Sequence, residues 1–156
     1  MYNSILVPHA GTPAGDEALK HAIHIAKSSS SQIILLHVID DFPHAPGFFL
    51  HASQVFKIKK EFAQITKEMK TTMEKEMTKR VETCQKNEIK SHLKVVTGLP
   101  AEEILKIVKN QKIDLIVMAK RRKFKGIKGL LTLGSVSRKI IENTPCPVLM
   151  IDVEKK

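Results

Sequence analysis

The fold is decided by residues 113–151, which begin with the apolar run IDLIVM (113–118). A short run of this kind predicts a buried strand. Residues 120–128 follow with six basic side chains, and the sequence GSVS (134–137) then indicates the start of a helix. The run PVLMI (147–151) predicts a last strand. Because the first N–H groups of a helix lack internal partners and its dipole favours negative charge, this order of elements predicts a phosphate-binding site.

The rest of the chain alternates strand and helix patterns. Apolar runs that predict buried strands lie at residues 4–7, 32–39 and 92–96, and apolar stripes at helical spacing lie at residues 16–27, 54–87 and 101–109. This alternation predicts one α/β domain over residues 1–156, with a doubly wound parallel sheet of five strands and helices on both faces. In such a sheet, ligands bind outside the carboxyl ends of the strands, where the strand order reverses.

The pattern at residues 54–87 predicts a long helix. At ~1.5 Å per residue it would run roughly 50 Å, against ~17–20 Å for a typical strand. We therefore expect this helix to overhang the sheet or to break near its start. Its methionine-rich stripe is predicted to pack in the core rather than to form a surface for a partner.

The formal net charge of +10 favours anionic partners, whether nucleotides, nucleic acid or an acidic membrane surface. No run approaches the roughly 20 apolar residues of a membrane span, and the N-terminus has no pattern of a secretory signal. We therefore expect a cytoplasmic protein with no membrane partner. The two cysteines, Cys84 and Cys146, lie far apart in sequence and are predicted to be reduced thiols.

Patterns typical of catalytic and metal sites are missing from the sequence. Ser135 has no G-x-S-x-G elbow around it, and there is no Walker loop. The seven histidines do not fall at zinc spacings, and His37, inside a predicted strand, is interpreted as a core residue with satisfied hydrogen bonds. His44 and His51 fall in the loop after the second strand and could line the ligand edge. We expect no catalytic residue and no metal site, and at most slow ATP hydrolysis.

Several short motifs occur together along the chain. They are ILVP (5–8) with GT (11–12), GLPAEEI (98–104), DLIVM (114–118), and LGSVS (133–137) leading to NTPCPVL (143–149). With them, the whole chain resembles the universal stress protein family. The resemblance implies a five-stranded sheet in the order 3-2-1-4-5, the adenine nucleotide alpha hydrolase-like fold. It also implies a homodimer formed through the last strand, residues 148–153, which begin at Val148 and end at Val153.

The same resemblance implies a site for ATP or another adenine nucleotide such as AMP, with or without Mg²⁺. The positions that correspond to the family's nucleotide site are Pro8, His9, Ala10, Val38, Met118, Ala119, Arg121, Arg122, Gly134, Ser135, Val136 and Ser137.

This sequence departs from the ATP-binding members of the family at the start of their signature. Those members carry Gly-x2-Gly-x9-Gly-Ser/Thr after the fourth strand. They also carry an aspartate after the first strand. Gly134-Ser135 keeps the end of the signature, whereas Ala119 and Arg122 replace its first two glycines and Ala10 replaces the aspartate. Losing a charge-assisted hydrogen bond of ~1.5–3 kcal/mol lowers affinity by about one to two decades.

Two hypotheses follow from the kept and the lost parts of the signature. In the first, a homodimeric stress-response regulator binds an adenine nucleotide with altered geometry. In the second, the nucleotide site is degenerate, and the protein acts through protein–protein or nucleic-acid contacts of its basic loop, residues 120–128. A third possibility, non-specific nucleic-acid binding, is suggested by charge alone. Stacking on bases offers little support for it, because Phe124 is the only aromatic residue in the sequence of that loop.

Overall fold

The computed structural model describes residues 1–40, 52–120 and 133–153, apart from the side chains of residues 52–56, 58 and 59. Five strands and four helices alternate along these ranges. The strands are β1 (Ser4–Pro8), β2 (Gln32–Asp40), β3 (Ser91–Gly98), β4 (Leu115–Ala119) and β5 (Val148–Ile151). The helices are α1 (Pro13–Ser29), α2 (Ala52–Lys86), α3 (Pro100–Asn110) and α4 (Ser135–Asn143).

All five strands form one parallel sheet in the order β3-β2-β1-β4-β5. The order 3-2-1-4-5 implied by the family resemblance is therefore confirmed. The central strand β1 has a neighbour on each side, with Ile5 opposite both Ile33 of β2 and Leu115 of β4. The strand order reverses between β1 and β4, so the carboxyl ends of these two strands mark the expected ligand edge.

The sheet is buried on both faces because helices cover each of them. Ile5, Leu6 and Val7 in β1 are all 0% exposed, as expected for the centre of a parallel sheet. Ile5 and Val7 pack with residues of α1 and α2. Leu6 packs on the opposite face with residues of α3 and α4. The prediction of a doubly wound α/β sheet is confirmed.

Helix α1 begins where the sequence signals predict. The Thr12 hydroxyl caps the helix by accepting a hydrogen bond from the Gly15 N–H at 3.3 Å, and Pro13 occupies the first turn. A proline there costs no hydrogen bond, because the first N–H groups have no intrahelical acceptor. The start of α1 is thus capped by the side chain of Thr12.

Helix α2 is continuous over its 35 residues, so the alternative of a break is wrong and the alternative of an overhang is right. Met77 and Cys84 in its C-terminal half are buried at 0% exposure, which confirms core packing there. Phe62, Ile65 and Met69 are 45%, 52% and 41% exposed, so the core prediction is wrong for these three residues. The physical reason is the length of the helix. At roughly 50 Å it extends beyond strands of ~17–20 Å, so its N-terminal part has no sheet to pack against.

None of the helices described in the structure is long and apolar enough to cross a membrane.

Candidate functional site

The carboxyl ends of β1 and β4 meet at one edge of the sheet. Ile5 and Leu6 pair with Leu115 and Ile116, and the two strands then end at Pro8 and Ala119. Parallel strands share the same direction, so these two ends lie side by side. Three predicted site residues, Pro8, Met118 and Ala119, therefore lie at this edge. Val38 lies at the same edge in β2, two positions beyond Leu36, which pairs with Pro8.

Helix α4 begins at this same edge. Strand β5 starts five residues after the helix ends at Asn143, and β5 runs parallel to β4. The helix must therefore run antiparallel to the strands, with its C-terminus at the amino edge and its N-terminus at the carboxyl edge. Its first residues, Ser135, Val136 and Ser137, are predicted site residues, and the topology places them beside the ends of β1 and β4.

The start of α4 has no cap from a side chain. Gly134 is the N-cap residue, with φ −63° and ψ 156°, and its carbonyl accepts the N–H of Arg138 at 3.0 Å. Within the described ranges, no hydrogen bond is made by the N–H groups of Ser135, Val136 or Ser137. Unpaired amides at a helix start, together with the helix dipole, can bind an anionic group.

Gly134 leaves open space beside these amides. A Cβ atom added at this residue would have no described neighbour within 4 Å, and its negative φ is accessible to any residue. Neither packing nor backbone strain in the described structure therefore requires glycine here. Ser135 is exposed, Val136 is half-buried and Ser137 is buried at 6% exposure, so the Ser135 end of the turn is the accessible one.

The loop between β1 and α1 forms the other side of the edge. Its predicted site residue His9 is buried at 2% exposure, and its ring makes hydrogen bonds inside the protein. The N–H of Gly11 donates to Nδ1 of His9 at 3.0 Å, and Nε2 of His9 lies 3.0 Å from Oδ1 of Asp16. An Nδ1 atom that accepts a hydrogen bond carries no proton, so Nε2 is the protonated nitrogen and donates to Asp16. The neighbouring Ala10 is exposed.

The electrostatics of this loop keep His9 neutral and Asp16 ionised. Burial lowers the pKa of His9, and the nearby charge of Arg80 lowers it further against the opposing effect of Asp16. Burial by itself would raise the pKa of Asp16, but the hydrogen bonds and charge of Arg80, together with His9, lower it overall. The contact between His9 and Asp16 is therefore a hydrogen bond to a carboxylate rather than an ion pair.

The interpretation of His37 as a core residue is wrong, because its side chain is only half-buried, but one of its ring nitrogens does have a hydrogen-bond partner. His37 lies in β2, and its Nδ1 lies 2.8 Å from the carbonyl oxygen of His9, to which it donates. The sequence reasoning missed Asp16 and Arg80 as members of this cluster. No local signal could have found them, because 64 positions separate the two residues along the chain.

Several predicted site residues lie outside the described residues. They are Arg121 and Arg122, with His44 and His51 of the earlier loop. Lys120 is described: its N–H donates to the carbonyl oxygen of Ile151 at 2.8 Å, and its Nζ lies 3.6 Å from a carboxylate oxygen of Asp152. Within the described ranges, no group of three or more His, Cys, Asp or Glu side chains could hold a metal ion.

The chain belongs to the universal stress protein family, whose family model matches residues 1–152. It is 32% identical over 160 residues to universal stress protein MJ0531 of Methanocaldococcus jannaschii, covering 100% of this chain and 85% of that protein. It is 31% identical over 156 residues to universal stress protein MJ0577 of the same organism, covering 97% of this chain and 95% of that protein.

Solved structures share the fold. That of MJ0577 superposes with a TM-score of 0.80 at 24% identity, covering 100% of this chain and 99% of that one. A universal stress protein in complex with cAMP gives a TM-score of 0.68 at 18% identity, covering 97% of each chain. An Arabidopsis thaliana family member with AMP bound gives 0.64 at 21% identity, covering 97% of this chain and 92% of that one. At these identities the likeness shows the fold alone.

Proposed function

We propose that this protein binds an adenine nucleotide at the carboxyl edge between β1 and β4 and acts as a regulator in a stress response. The observation that carries the proposal is the open start of α4, where Gly134 leaves space beside amides that have no partner in the described ranges. Those amides would hold a phosphate group, and Ser135 would add a hydroxyl donor. Nucleotides bound by two structural neighbours, cAMP and AMP, support the same ligand class.

The base would lie on the apolar ends of the neighbouring strands. Val38 and Pro8 are half-buried and Met118 is 6% exposed, and Val38 and Met118 belong to the same apolar cluster beneath α3 and α4. Apolar walls with a few polar groups are the usual lining of a small-molecule site. We assign the adenine to this surface and the phosphates to the start of α4.

The ribose would be held less firmly than in ATP-binding relatives. Ala10 is exposed at the edge and offers no carboxylate to the ribose hydroxyls, and Ala119 replaces a glycine where the backbone would approach the ligand. Arg121 and Arg122 lie outside the described residues, but they follow β4 directly in the sequence and would add positive charge to the site. We therefore expect weaker binding that depends more on phosphate, and hence more on salt, than a site with the aspartate. Mg²⁺ would arrive bound to the phosphates, as it usually does in nucleotide sites.

The proposal includes a homodimer through the last strand. Strand β5 is the terminal strand of the sheet, and its residues from Val148 to Ile151 are half-buried. A sheet edge presents unpaired N–H and C=O groups that favour pairing with another strand. The N–H and C=O groups of residues 148–153 in one copy would form hydrogen bonds with those of the same residues in a second copy. Light scattering at two concentrations tests the dimer, and a mass of one chain at both would exclude it.

Calorimetry tests nucleotide binding most simply. Purified protein is denatured to release any nucleotide that co-purifies, and fresh protein is titrated with ATP and AMP, with and without Mg²⁺. We expect saturable binding that weakens as salt increases. Undetectable heat for every nucleotide, with none released on denaturation, would reject the proposal in favour of the degenerate module. An Ala10→Asp, Arg122→Gly variant that then gained ATP binding would show which residues had been lost.

A further inference from the structure

Arg80 of helix α2 contacts the first turn of α1 at Asp16. The Nε of Arg80 donates to Oδ1 of Asp16 at 2.6 Å, and Nη2 donates to Oδ2 at 3.3 Å. Nη1 of the same side chain donates to the carbonyl oxygen of Glu76 at 3.2 Å, so the guanidinium is held from both sides. The Arg80 side chain is 20% exposed. A bidentate contact of this kind fixes the orientation of the carboxylate as well as its charge.

The ring of His9 connects the Asp16 carboxylate to the main chain of the loop. Its ring joins Asp16 to the N–H of Gly11. Its own N–H donates to the carbonyl oxygen of Leu36, and its carbonyl accepts from His37, both at 2.8 Å. All four polar atoms of His9 therefore have partners, two in β2 and two in the loop and the start of α1. A buried residue with every polar atom satisfied has one favourable position.

Close packing leaves the loop little freedom to shift. Gly11 has φ +74°, and a Cβ atom added there would lie 3.3 Å from Cε of Met73 on α2. A Cβ atom added at Gly15 would lie 2.8 Å from the ring of His9. The loop therefore packs against α2 at Gly11, and the start of α1 packs against the His9 ring at Gly15. If Asp16 were displaced, the His9 ring would lose its hydrogen-bond partner on the α1 side.

We propose that Arg80, acting through Asp16 and His9, is a positioning residue for the nucleotide site, although it contacts no part of the ligand. The inference rests on the proposed nucleotide function, because His9 lies between Pro8 and Ala10, two residues assigned to that site. Without Arg80, Asp16 loses its bidentate partner, and residues 8–11 occupy the binding position in only a fraction of the molecules. Apparent affinity falls in proportion to that fraction.

The test compares two neighbouring positions on α2. Arg80→Met and Lys79→Met each remove one positive charge, but Lys79 is exposed and lies outside the network. ATP is titrated calorimetrically at one ionic strength and well below the unfolding temperature. We expect Arg80→Met to raise the Kd for ATP about five- to tenfold, and Lys79→Met to change it by less than about twofold. Equal changes in the two variants would overturn the positioning role.

A second control separates positioning from general loss of stability. Ile33→Val removes a methyl group from the amino end of β2, at the opposite edge of the sheet from the nucleotide site, where Ile33 is 0% exposed. It should lower the Tm and leave the Kd for ATP unchanged. If this variant weakened ATP binding as much as Arg80→Met at a matched loss of Tm, Arg80 would have only a structural role.

Asp16→Asn keeps an acceptor for His9 and removes the carboxylate partner of Arg80. It should raise the Kd as much as Arg80→Met, and the double variant should add nothing, because both changes break the same contact. It also keeps the test decisive if Arg80→Met does not fold. Wild-type protein that fails to bind ATP would reject the nucleotide site itself, whereas binding by wild type and equally by Asp16→Asn would reject only the positioning role.

Discussion

Two helices start beside the central strands at the same edge of the sheet, and they start in opposite ways. At the start of α1, the Thr12 hydroxyl accepts from the Gly15 N–H, and Asp16 adds an acidic side chain in the first turn. At the start of α4, Gly134 has no side chain, no cap is formed, and no acidic residue lies in the first turn. A capping side chain and an acidic residue, the two groups that usually complement a helix start, are thus present in α1 and missing from the described start of α4.

The difference indicates which helix start is structural and which is available to a ligand. The amides of α1 are served by its own residues, and the loop before it is filled by the buried ring of His9. The first N–H groups of α4 have no partner in the described ranges, and a Cβ atom added at Gly134 would meet no described atom within 4 Å. Similar local geometry at one sheet edge is therefore used once to hold the protein together and once, we propose, to hold an anion.

The largest expected effect comes from exchanging a glycine in each helix start. Gly15→Ala puts a Cβ atom 2.8 Å from the His9 ring, so either the ring or α1 must move. We expect a loss of about 2–3 kcal/mol in the free energy of unfolding, as for other overpacked sites. Gly134→Ala meets no described atom, and should cost about 1 kcal/mol or less, as alanine is a poorer N-cap than glycine. Urea unfolding measures both, and equal losses would show that the two starts are packed alike.

A smaller effect is expected from removing the cap of α1. Thr12→Ala takes away the acceptor of the Gly15 N–H and should lower the free energy of unfolding by about 1 kcal/mol. Ser135→Ala, at the exposed start of α4, should leave stability within about 0.5 kcal/mol of wild type. Thermal unfolding distinguishes the two, and a larger loss from Ser135→Ala would mean that its hydroxyl has a structural partner.

The loop before α1 should also make stability depend on pH. Burial and the charge of Arg80 lower the pKa of His9 below its ordinary 6.5 in the folded protein, so the unfolded chain binds the proton more readily. Stability from neutral His9 is complete above pH 6.5 and is lost as pH falls from there through the lowered pKa. We expect the Tm to decrease over that window. His9→Gln, which does not titrate, should flatten the decrease, and an unchanged slope would contradict the assignment of neutral His9.

The strands and their alternation with helices were predictable because these features follow from local patterns. The apolar runs mark the strands, alternation with helical stripes marks the parallel arrangement, and GSVS (134–137) marks the start of α4. The strand order came from the family resemblance. The exposure of Ile65 and Met69 was not predictable, because a stripe shows the period of a helix but not where the sheet beneath it ends.

The candidate site was predictable only in the parts that follow a motif. Gly134 and Met118 are predicted site positions from the family resemblance, whereas the hydrogen bonds of His9 were not predictable, since they involve Asp16 and, through it, Arg80 on a distant helix. A contact between residues so far apart in sequence leaves no spacing pattern. The sequence therefore predicted the start of α4 as part of the candidate site, but not the hydrogen-bond network of His9, Asp16 and Arg80.

Gly134→Asn tests the central claim most directly, because it gives α4 the cap that α1 already has. The asparagine side chain would accept the N–H of Val136 or Ser137, adding a few tenths of a kcal/mol to stability while occupying the amides assigned to phosphate. Leu99→Asn is the matched control, since Leu99 is the exposed and uncapped N-cap residue of α3. Measured by calorimetry, the Kd for ATP should rise about tenfold in Gly134→Asn and stay at the wild-type value in Leu99→Asn. A stable Gly134→Asn protein with wild-type affinity would show that the start of α4 does not hold the nucleotide.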